Sequence, residues 1–454
     1  MPIETRNPTT GELVQRFQPH TAAEVAHRLA LAESTFQTYR TWPLQERIQR
    51  LFRAAERVEA QQAHFGALMT LEMGKPLSAA KAEAAKCATA LRYYAEHGER
   101  LMAEEVVFAH DGRASIRFDP LGAILAVMPW NFPFWQVVRF AAPALLTGNV
   151  GLLKHASNVP QCALALEQLF LDAGFPPGAF QTLLIGAAEV APLIADPRVK
   201  AVTLTGSEPA GRQVAALAGQ HLKKTVLELG GSDPFVVMPS AKLPEAAVTA
   251  AKARIINNGQ SCIAAKRFIV HTDVYDTFRE TFLATMRAFR VGDPLDPLTD
   301  IGPMATAAIR AELLDQIARV RDAGARVSLG GEALPGPGYF LAPTVVEDLA
   351  PSSTIAQEEF FGPVALLFRV SSLEEALEVA NGTTFGLGAA FWSQDEQELS
   401  RAAEALDSGL VFLNGMVASD ARLPFGGVKA SGYGRELAFY GLREFQNIKT
   451  VWRR

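Results

Sequence analysis

Three residues in this 454-residue chain stand where their chemistry is unusual for their surroundings. Cys262 follows Asn257–Asn258–Gly259–Gln260–Ser261, a polar, glycine-containing loop after a helical run, where a thiol can be exposed to a substrate. The other two cysteines, Cys87 and Cys162, fall in apolar helical patterns and read as small buried hydrophobes. Glu228 stands in an apolar strand pattern, Val226–Leu227–Glu228–Leu229–Gly230–Gly231. An unpaired carboxylate there takes a raised pKa, which suits a general base near neutrality; a structural ion pair is the competing reading. Asn131 lies between two prolines in Pro129–Trp130–Asn131–Phe132–Pro133. Its amide is then a rigidly held donor, of use to a developing oxyanion or simply as a helix cap.

The elements that must position these residues follow from periodicity. Ala22 to Tyr39, Leu44 to Met73 and Leu77 to Glu99 carry apolar side chains at helical spacing, with a break at Gly74–Lys75–Pro76. Val106–Phe118 alternates around Asp111–Gly112, a hairpin signal. Strands at Ala123–Met128, Val150–Leu153, Phe180–Ile185, Ala201–Leu204 and Thr225–Leu229 then alternate with helices, which argues for a mostly parallel sheet covered on both faces. A second series has strands at Phe235–Met238, Phe268–Val270, Val364–Phe368 and Gly388–Trp392. Two α/β domains with parallel sheets result, with a boundary near Gly230–Gly231. Phe445–Trp452 reads as a terminal strand that pairs with another element or another subunit.

Composition narrows the function. A formal net charge of -5 without a basic run gives no nucleic-acid footprint. Leu121–Val138 is uncharged, yet Pro129, Pro133, Asn131 and Gln136 interrupt it, so a strand, turn and helix start fit better than a membrane span. The first residues, with Glu4 and Arg6, do not read as a secretory signal. Three dispersed cysteines suit a reducing cytoplasm, and eight histidines without ligand spacing imply no metal.

Together these segments resemble the aldehyde dehydrogenase superfamily from about Asn7 to Trp452. PWNFP at Pro129, LTGS at Leu204, LELGG at Leu227, GQSC at Gly259, EEFFGPV at Glu358 and PFGGVKASGYGRE at Pro424 appear in the family's order, with Glu228 34 residues before Cys262. The resemblance implies that Cys262 attacks an aldehyde carbonyl while the Asn131 amide and the Cys262 N–H hold the oxyanion. Hydride passes to a nicotinamide, and Glu228 activates water to hydrolyse the thioester on Cys262. It also implies a dinucleotide-binding domain (1–103 and 121–230), a catalytic domain (231–438) and a small β oligomerisation arm (104–120 and 439–454) of a homodimer or homotetramer.

The usual GxGxxG fingerprint is absent. Gly206, Ser207 and Gly211 instead open a helix after a strand, which suits a phosphate, and in the family this is the pyrophosphate site. The resemblance assigns Lys154 to the adenosine ribose, Glu359 to the nicotinamide ribose and Phe361 to a place beside the ring, with Trp130, His155, Ala156 and Leu229 completing the cofactor contacts. Ser157 replaces a glutamate of many NAD-specific relatives, so the sequence leans to NADP, with NAD as a weaker acceptor. Arg139, inside an apolar helix, needs an anionic partner. That partner is a substrate carboxylate, as in succinate-semialdehyde dehydrogenases, or a structural one. Trp135, Ser261 and Ser419 complete the substrate contacts, and Ile256 stands where several such enzymes carry a second arginine. KHASN and GMVASD look most like the short bacterial succinate-semialdehyde group. The rival readings are a dehydrogenase for glutarate semialdehyde or a neutral aldehyde, and a non-catalytic, crystallin-like protein on the same fold.

Overall fold

The structure, a computed structural model, describes residues 2–109 and 112–453. Its centre of function is a six-stranded sheet. From one edge, the order is Gly432–Tyr433, Lys224–Glu228, Val199–Thr205, Ala123–Met128, Val150–His155 and Phe180–Thr182. All neighbours are parallel except Gly432–Tyr433, which runs antiparallel to Lys224–Glu228. The three central strands are almost wholly buried, as near-continuous apolar runs covered on both faces must be.

Register decides what this sheet presents. Val127 pairs with both Lys154 and Leu204, Met128 with His155, and Thr205 with Glu228. The carboxyl ends of four adjacent strands therefore finish at one level. From that edge the chain continues into the Pro129–Pro133 segment, into Ala156–Ser157, into Gly206–Ser207 and into Leu229–Gly231. A crevice at the carboxyl edge of an open parallel sheet is the usual place for a ligand.

A seven-stranded sheet has the order Arg326–Leu329, Thr344–Glu347, Val364–Val370, Arg267–His271, Pro234–Val237, Gly388–Trp392, Leu410–Leu413, parallel but for its first strand. It supplies segments that precede its strands: the Cys262 loop before Arg267, and Glu359 before Val364. Gln446–Arg453, Gly112–Pro120 and Glu105–Ala109 form a third, antiparallel sheet. The expected terminal strand thus pairs within its own chain, along Arg113–Pro120. Ala109 and Gly112 are in register, as a hairpin requires; Asp111 of the expected turn lies outside the described residues.

Several expectations need correction. The helical run Leu44 to Met73 is two helices, Leu44–Ala60 and Gln62–Met73. Gln61 leaves the helical region at φ -107°, and Gln62 Nε2 donates to the Lys81 carbonyl at 2.9 Å, so tertiary anchoring breaks the helix with neither proline nor glycine present. The strands expected at Phe180–Ile185 and Thr225–Leu229 end earlier, at Thr182 and Glu228. Strands Glu4–Arg6, Leu13–Arg16, Arg326–Leu329, Thr344–Glu347 and Leu410–Leu413 were not anticipated; they are three or four residues long, too short to show a period. Gly432–Tyr433, a two-residue strand also not anticipated, closes the edge of the first sheet. Among the described residues, no helix is long and apolar enough to cross a membrane.

Candidate active site

The loop that carries Cys262 is built from left-handed backbone. Asn257, Asn258 and Gly259 have φ of 54°, 60° and 77°, a conformation that asparagine tolerates and glycine favours. A Cβ on Gly259 would sit 2.3 Å from the Gly362 carbonyl carbon, so no other residue fits there. The amide side chains of the loop hold it in place. Asn258 Nδ2 donates to the carbonyls of Gly74 and Pro303, and its Oδ1 accepts from Gly302 N. Asn257 Nδ2 donates to the carbonyls of Asn131 and Gln260 at 2.6 and 3.0 Å. Gln260 Oε1 accepts from Ala305 N, and Arg254 donates to the Gly259 carbonyl.

Beyond the loop, the fully buried ammonium of Lys266 donates to the carbonyls of Ser261 and Cys262 at 2.7 and 2.6 Å and lies 3.3 Å from Glu359 Oε1. Cys262 emerges on the wall of a cavity of about 270 Å³, whereas Cys87 and Cys162 are buried. Surrounding protein pushes the Cys262 thiol up to about 12, against the pull of Lys266 and Arg139. The resting thiol is therefore protonated near neutrality.

Asn131 is brought to this loop: its Nδ2 donates to the Gln260 carbonyl at 3.1 Å, which leaves the second amide hydrogen uncommitted. Glu228 ends its strand nearby, and Gly231, three residues on, packs so tightly that a Cβ would lie 2.7 Å from the Cys262 carbonyl oxygen. The Glu228 carboxyl faces Gly426 and has no hydrogen-bond partner among the described residues. Burial holds it well above the usual carboxylate range, opposed by Arg139 and reinforced by Glu436. Neither Glu228 nor Asn131 lines the cavity; both stand behind its wall.

Arg139 reaches the cavity from the helix Trp135–Thr147, but its charge is already met. Its Nε is ion-paired with buried Glu436, Nη2 donates to Thr205 Oγ1 at 3.2 Å, and the guanidinium lies over the Phe425 ring. The anionic partner required by the sequence belongs to the protein. Trp135, Ser261 and Ser419 line the same cavity, as does Ile256. The expected substrate residues are therefore together.

The residues expected at a dinucleotide gather along the carboxyl edge of the first sheet. Gly206 and Ser207 precede the helix Glu208–Gln220, and Ser207 makes no side-chain cap, so the first N–H groups of that helix are available. Glu359 Oε1 accepts from Gly231 N at 3.0 Å, and its Oε2 lies where a Cβ on Gly230 would intrude at 2.5 Å. Trp130 and Phe361 meet edge to face at 5.8 Å. Lys154 is part-buried, and burial lowers its pKa while Glu189 opposes this. Leu229 is buried and packs against Gly211; Ala156 and Ser157 are partly exposed. This set fits an extended dinucleotide: N–H groups for a diphosphate, a cation and a hydroxyl at one ribose, a carboxylate at the other.

His155 departs from expectation. Its buried ring lies against the backbone, with Nε2 2.9 Å from the Pro133 carbonyl and Nδ1 3.0 Å from Ala156 N. Burial pulls its pKa to about 4, so it is a neutral brace for the Pro129–Pro133 turn, with both ring nitrogens engaged by the backbone.

The aldehyde dehydrogenase family profile matches residues 1–451. This chain belongs to the aldehyde dehydrogenase family. It is 56% identical over its whole length, and over the whole length of the relative, to a Mycobacterium tuberculosis protein named succinate-semialdehyde dehydrogenase (NADP+) 1. A Mycobacterium avium enzyme named for the same activity is 55% identical over 100% of this chain and 97% of its own. Among solved structures, the Streptococcus pyogenes succinic semialdehyde dehydrogenase in complex with NADP+ superposes with a TM-score of 0.97 at 37% identity, covering 99% of both chains.

Sequence reasoning missed four charged residues of this aldehyde dehydrogenase site. Lys75 and Glu83 form a buried ion pair on the cavity wall, and Glu83 Oε1 also accepts from Phe134 N and Trp135 N at the start of the Arg139 helix. Lys86 lines the cavity and donates to Ser419. Glu436 holds Arg139. Lys75 stood in a helix break and Lys86 in an amphipathic pattern, where lysines read as solvent-facing. Glu436 was visible only as the last letter of a motif.

The raised thiol gives a pH prediction. Far below its pKa, the thiolate fraction rises about tenfold per pH unit. Alkylation of Cys262 by iodoacetamide in the dinucleotide-free enzyme should therefore climb steadily from pH 7 to 9, read by peptide mass spectrometry. A plateau below pH 8 would show an ionised resting thiol.

Proposed function

We propose that this aldehyde dehydrogenase oxidises succinate semialdehyde to succinate, with NADP as preferred acceptor and NAD as a weaker one. The observation that carries the reading is a single thiol, Cys262, on the wall of a cavity that also contains cationic and hydroxyl side chains. The name of the mycobacterial relatives, at 56% identity, supports the same substrate and acceptor. Glutarate semialdehyde is the nearest competitor, since the same groups would meet its carboxylate.

In this reading Cys262 Sγ gives its proton to bulk solvent and bonds to the carbonyl carbon. The carbonyl oxygen takes the negative charge, met by the free Asn131 amide hydrogen and the Cys262 N–H. The dinucleotide, when bound, supplies the hydride acceptor, and Cys262 is left carrying a thioester. Glu228, in its ionised form and with no hydrogen-bond partner among the described residues, turns toward Cys262 and takes a proton from water. The resulting hydroxide adds to the thioester carbon, the C–S bond breaks, and the thiolate leaves. Lys154, Ser157, Gly206, Ser207 and Glu359 would hold the dinucleotide against the first sheet, with Trp130 and Phe361 beside its reactive end.

The three-stranded sheet is our candidate for a subunit contact in a homodimer or homotetramer. Val107, Ile448 and Trp452 are exposed on one face of it, an apolar surface of the kind that marks association. We place the enzyme in the cytoplasm, where a free thiol stays reduced. Residues 1–103 and 121–230 would form the dinucleotide domain and 231–438 the catalytic one, with Gly432–Tyr433 crossing back.

Glu228→Gln should leave hydride transfer intact and stall hydrolysis. Stopped-flow absorbance should show a burst of reduced dinucleotide and then slow turnover; steady-state rates like the wild type would remove Glu228 from deacylation. Ser157→Glu should shift preference toward NAD, because a carboxylate repels a 2′-phosphate and accepts hydrogen bonds from ribose hydroxyls. An unchanged ratio of kcat/KM for NADP and NAD would place residue 157 away from the ribose.

A further inference from the structure

The segment from Gly74 to Glu83 touches both halves of the reactive centre. On one side, the Gly74 carbonyl accepts from Asn258 Nδ2 at 3.1 Å, which ties the segment to the loop that carries Cys262. Gly74 closes the helix Gln62–Met73 with φ 77°, and a Cβ there would lie 2.7 Å from Pro303 Cγ, so this backbone has little room to shift. On the other side stands the ion pair of Lys75 and Glu83, whose side chains are only 1% and 3% exposed. Glu83 Oε2 takes the ammonium, and Oε1 accepts from Phe134 N and Trp135 N at 3.0 and 2.9 Å. Lys75 Nζ also lies 4.1 Å from the centre of the Phe132 ring. Phe132 directly follows Asn131 in the chain.

We propose that Lys75 and Glu83 are positioning residues for Asn131, fixing its amide against the Cys262 loop. The inference rests on the reading that this amide meets the oxyanion, and deepens it. A buried ion pair adds little net stability, because desolvation of two charges offsets their attraction. What it adds here is geometry. A helix start leaves backbone N–H groups without intrahelical partners, and Phe134 supplies no side-chain cap. Glu83, from the helix Leu77–Met102, captures two of them, so the turn that carries Asn131 ends at a fixed point. The ammonium holds that carboxylate and bears on the Phe132 ring, next to Asn131. A neutral side chain at position 75 would leave Glu83 buried without its partner and Phe132 free to shift. An oxyanion donor acts at roughly 2.7–3.1 Å from the charge it meets, so a displacement of about 1 Å is costly.

The test follows formation of reduced dinucleotide in single turnovers, with enzyme in excess of succinate semialdehyde or of butanal, a neutral aldehyde. Asn131→Ala should slow both aldehydes by about a hundredfold, the usual cost of one oxyanion donor. Lys75→Met should slow both by at least about tenfold, because the amide is misplaced rather than lost. Adding Lys75→Met to Asn131→Ala should slow the reaction no further. Alkylation of Cys262 by iodoacetamide develops no oxyanion. It should stay near the wild-type rate in every variant, which separates a displaced amide from a damaged fold. If Lys75→Met does not fold, Phe132→Leu, which removes the ring and keeps the ion pair, should give the same pattern. A slow Asn131→Ala beside a Lys75→Met as fast as wild type would overturn the positioning role and leave the Asn131 reading standing. Additive losses, a parallel fall in alkylation, or slowing of succinate semialdehyde alone would do the same. An Asn131→Ala enzyme as fast as wild type would overturn the Asn131 reading and this inference together.

Discussion

The buried ammonium of Lys266 ties together the parts on which catalysis depends. It donates to the carbonyls of Ser261 and Cys262, which orients the peptide planes on either side of Cys262, and it sits 3.3 Å from Glu359. A charge taken fully out of water is tolerated only when its donors are met, so these contacts are obligatory and their geometry is fixed. The left-handed run Asn257–Gly259 is affordable for the same reason: Asn257, Asn258, Gln260 and Arg254 over-determine the loop from both sides of the cleft. Cys262 is thus placed by backbone bonds, and its side chain is left free for chemistry.

A second constraint is charge balance in a dry wall. Glu228, Arg139 and Glu436 are buried near one another, and burial drives both carboxyls above their ordinary range while Arg139 pulls them down. Arg139 therefore has two acids to serve. The pair with Glu436 fixes the C-terminal segment beside Phe425 and leaves Glu228 as the member without a bond among the described residues. An acid that no neighbour holds is the one able to move, which suits a group that must act after hydride transfer and stay out of the way before it.

Much of this was legible in the sequence, for identifiable reasons. Cys262 stood out because its loop is polar where Cys87 and Cys162 are surrounded by apolar residues, and that contrast survives as exposure against burial. The strands ending at Met128, Lys154–His155, Thr205 and Glu228 were readable as apolar runs, and their ends placed the cofactor residues together. The partner of Arg139 was not readable, because Glu436 lies far along the chain and no local pattern joins them. His155 misled for the opposite reason: it sits within a cofactor motif, yet its ring turns inward to brace a turn from another segment. Lys75 and Lys86 were invisible because a lysine on a helix looks alike whether its head meets water or a cavity.

The central claim is that the substrate becomes covalently attached to Cys262 and is released by Glu228. Rapid quenching of Glu228→Gln with succinate semialdehyde and NADP, followed by peptide mass spectrometry, tests it directly. The account predicts a succinyl group on the peptide containing Cys262, formed with reduced dinucleotide and absent when the dinucleotide is omitted. Reduced dinucleotide formed with an unmodified Cys262 peptide, or with the acyl group on another residue, would contradict it.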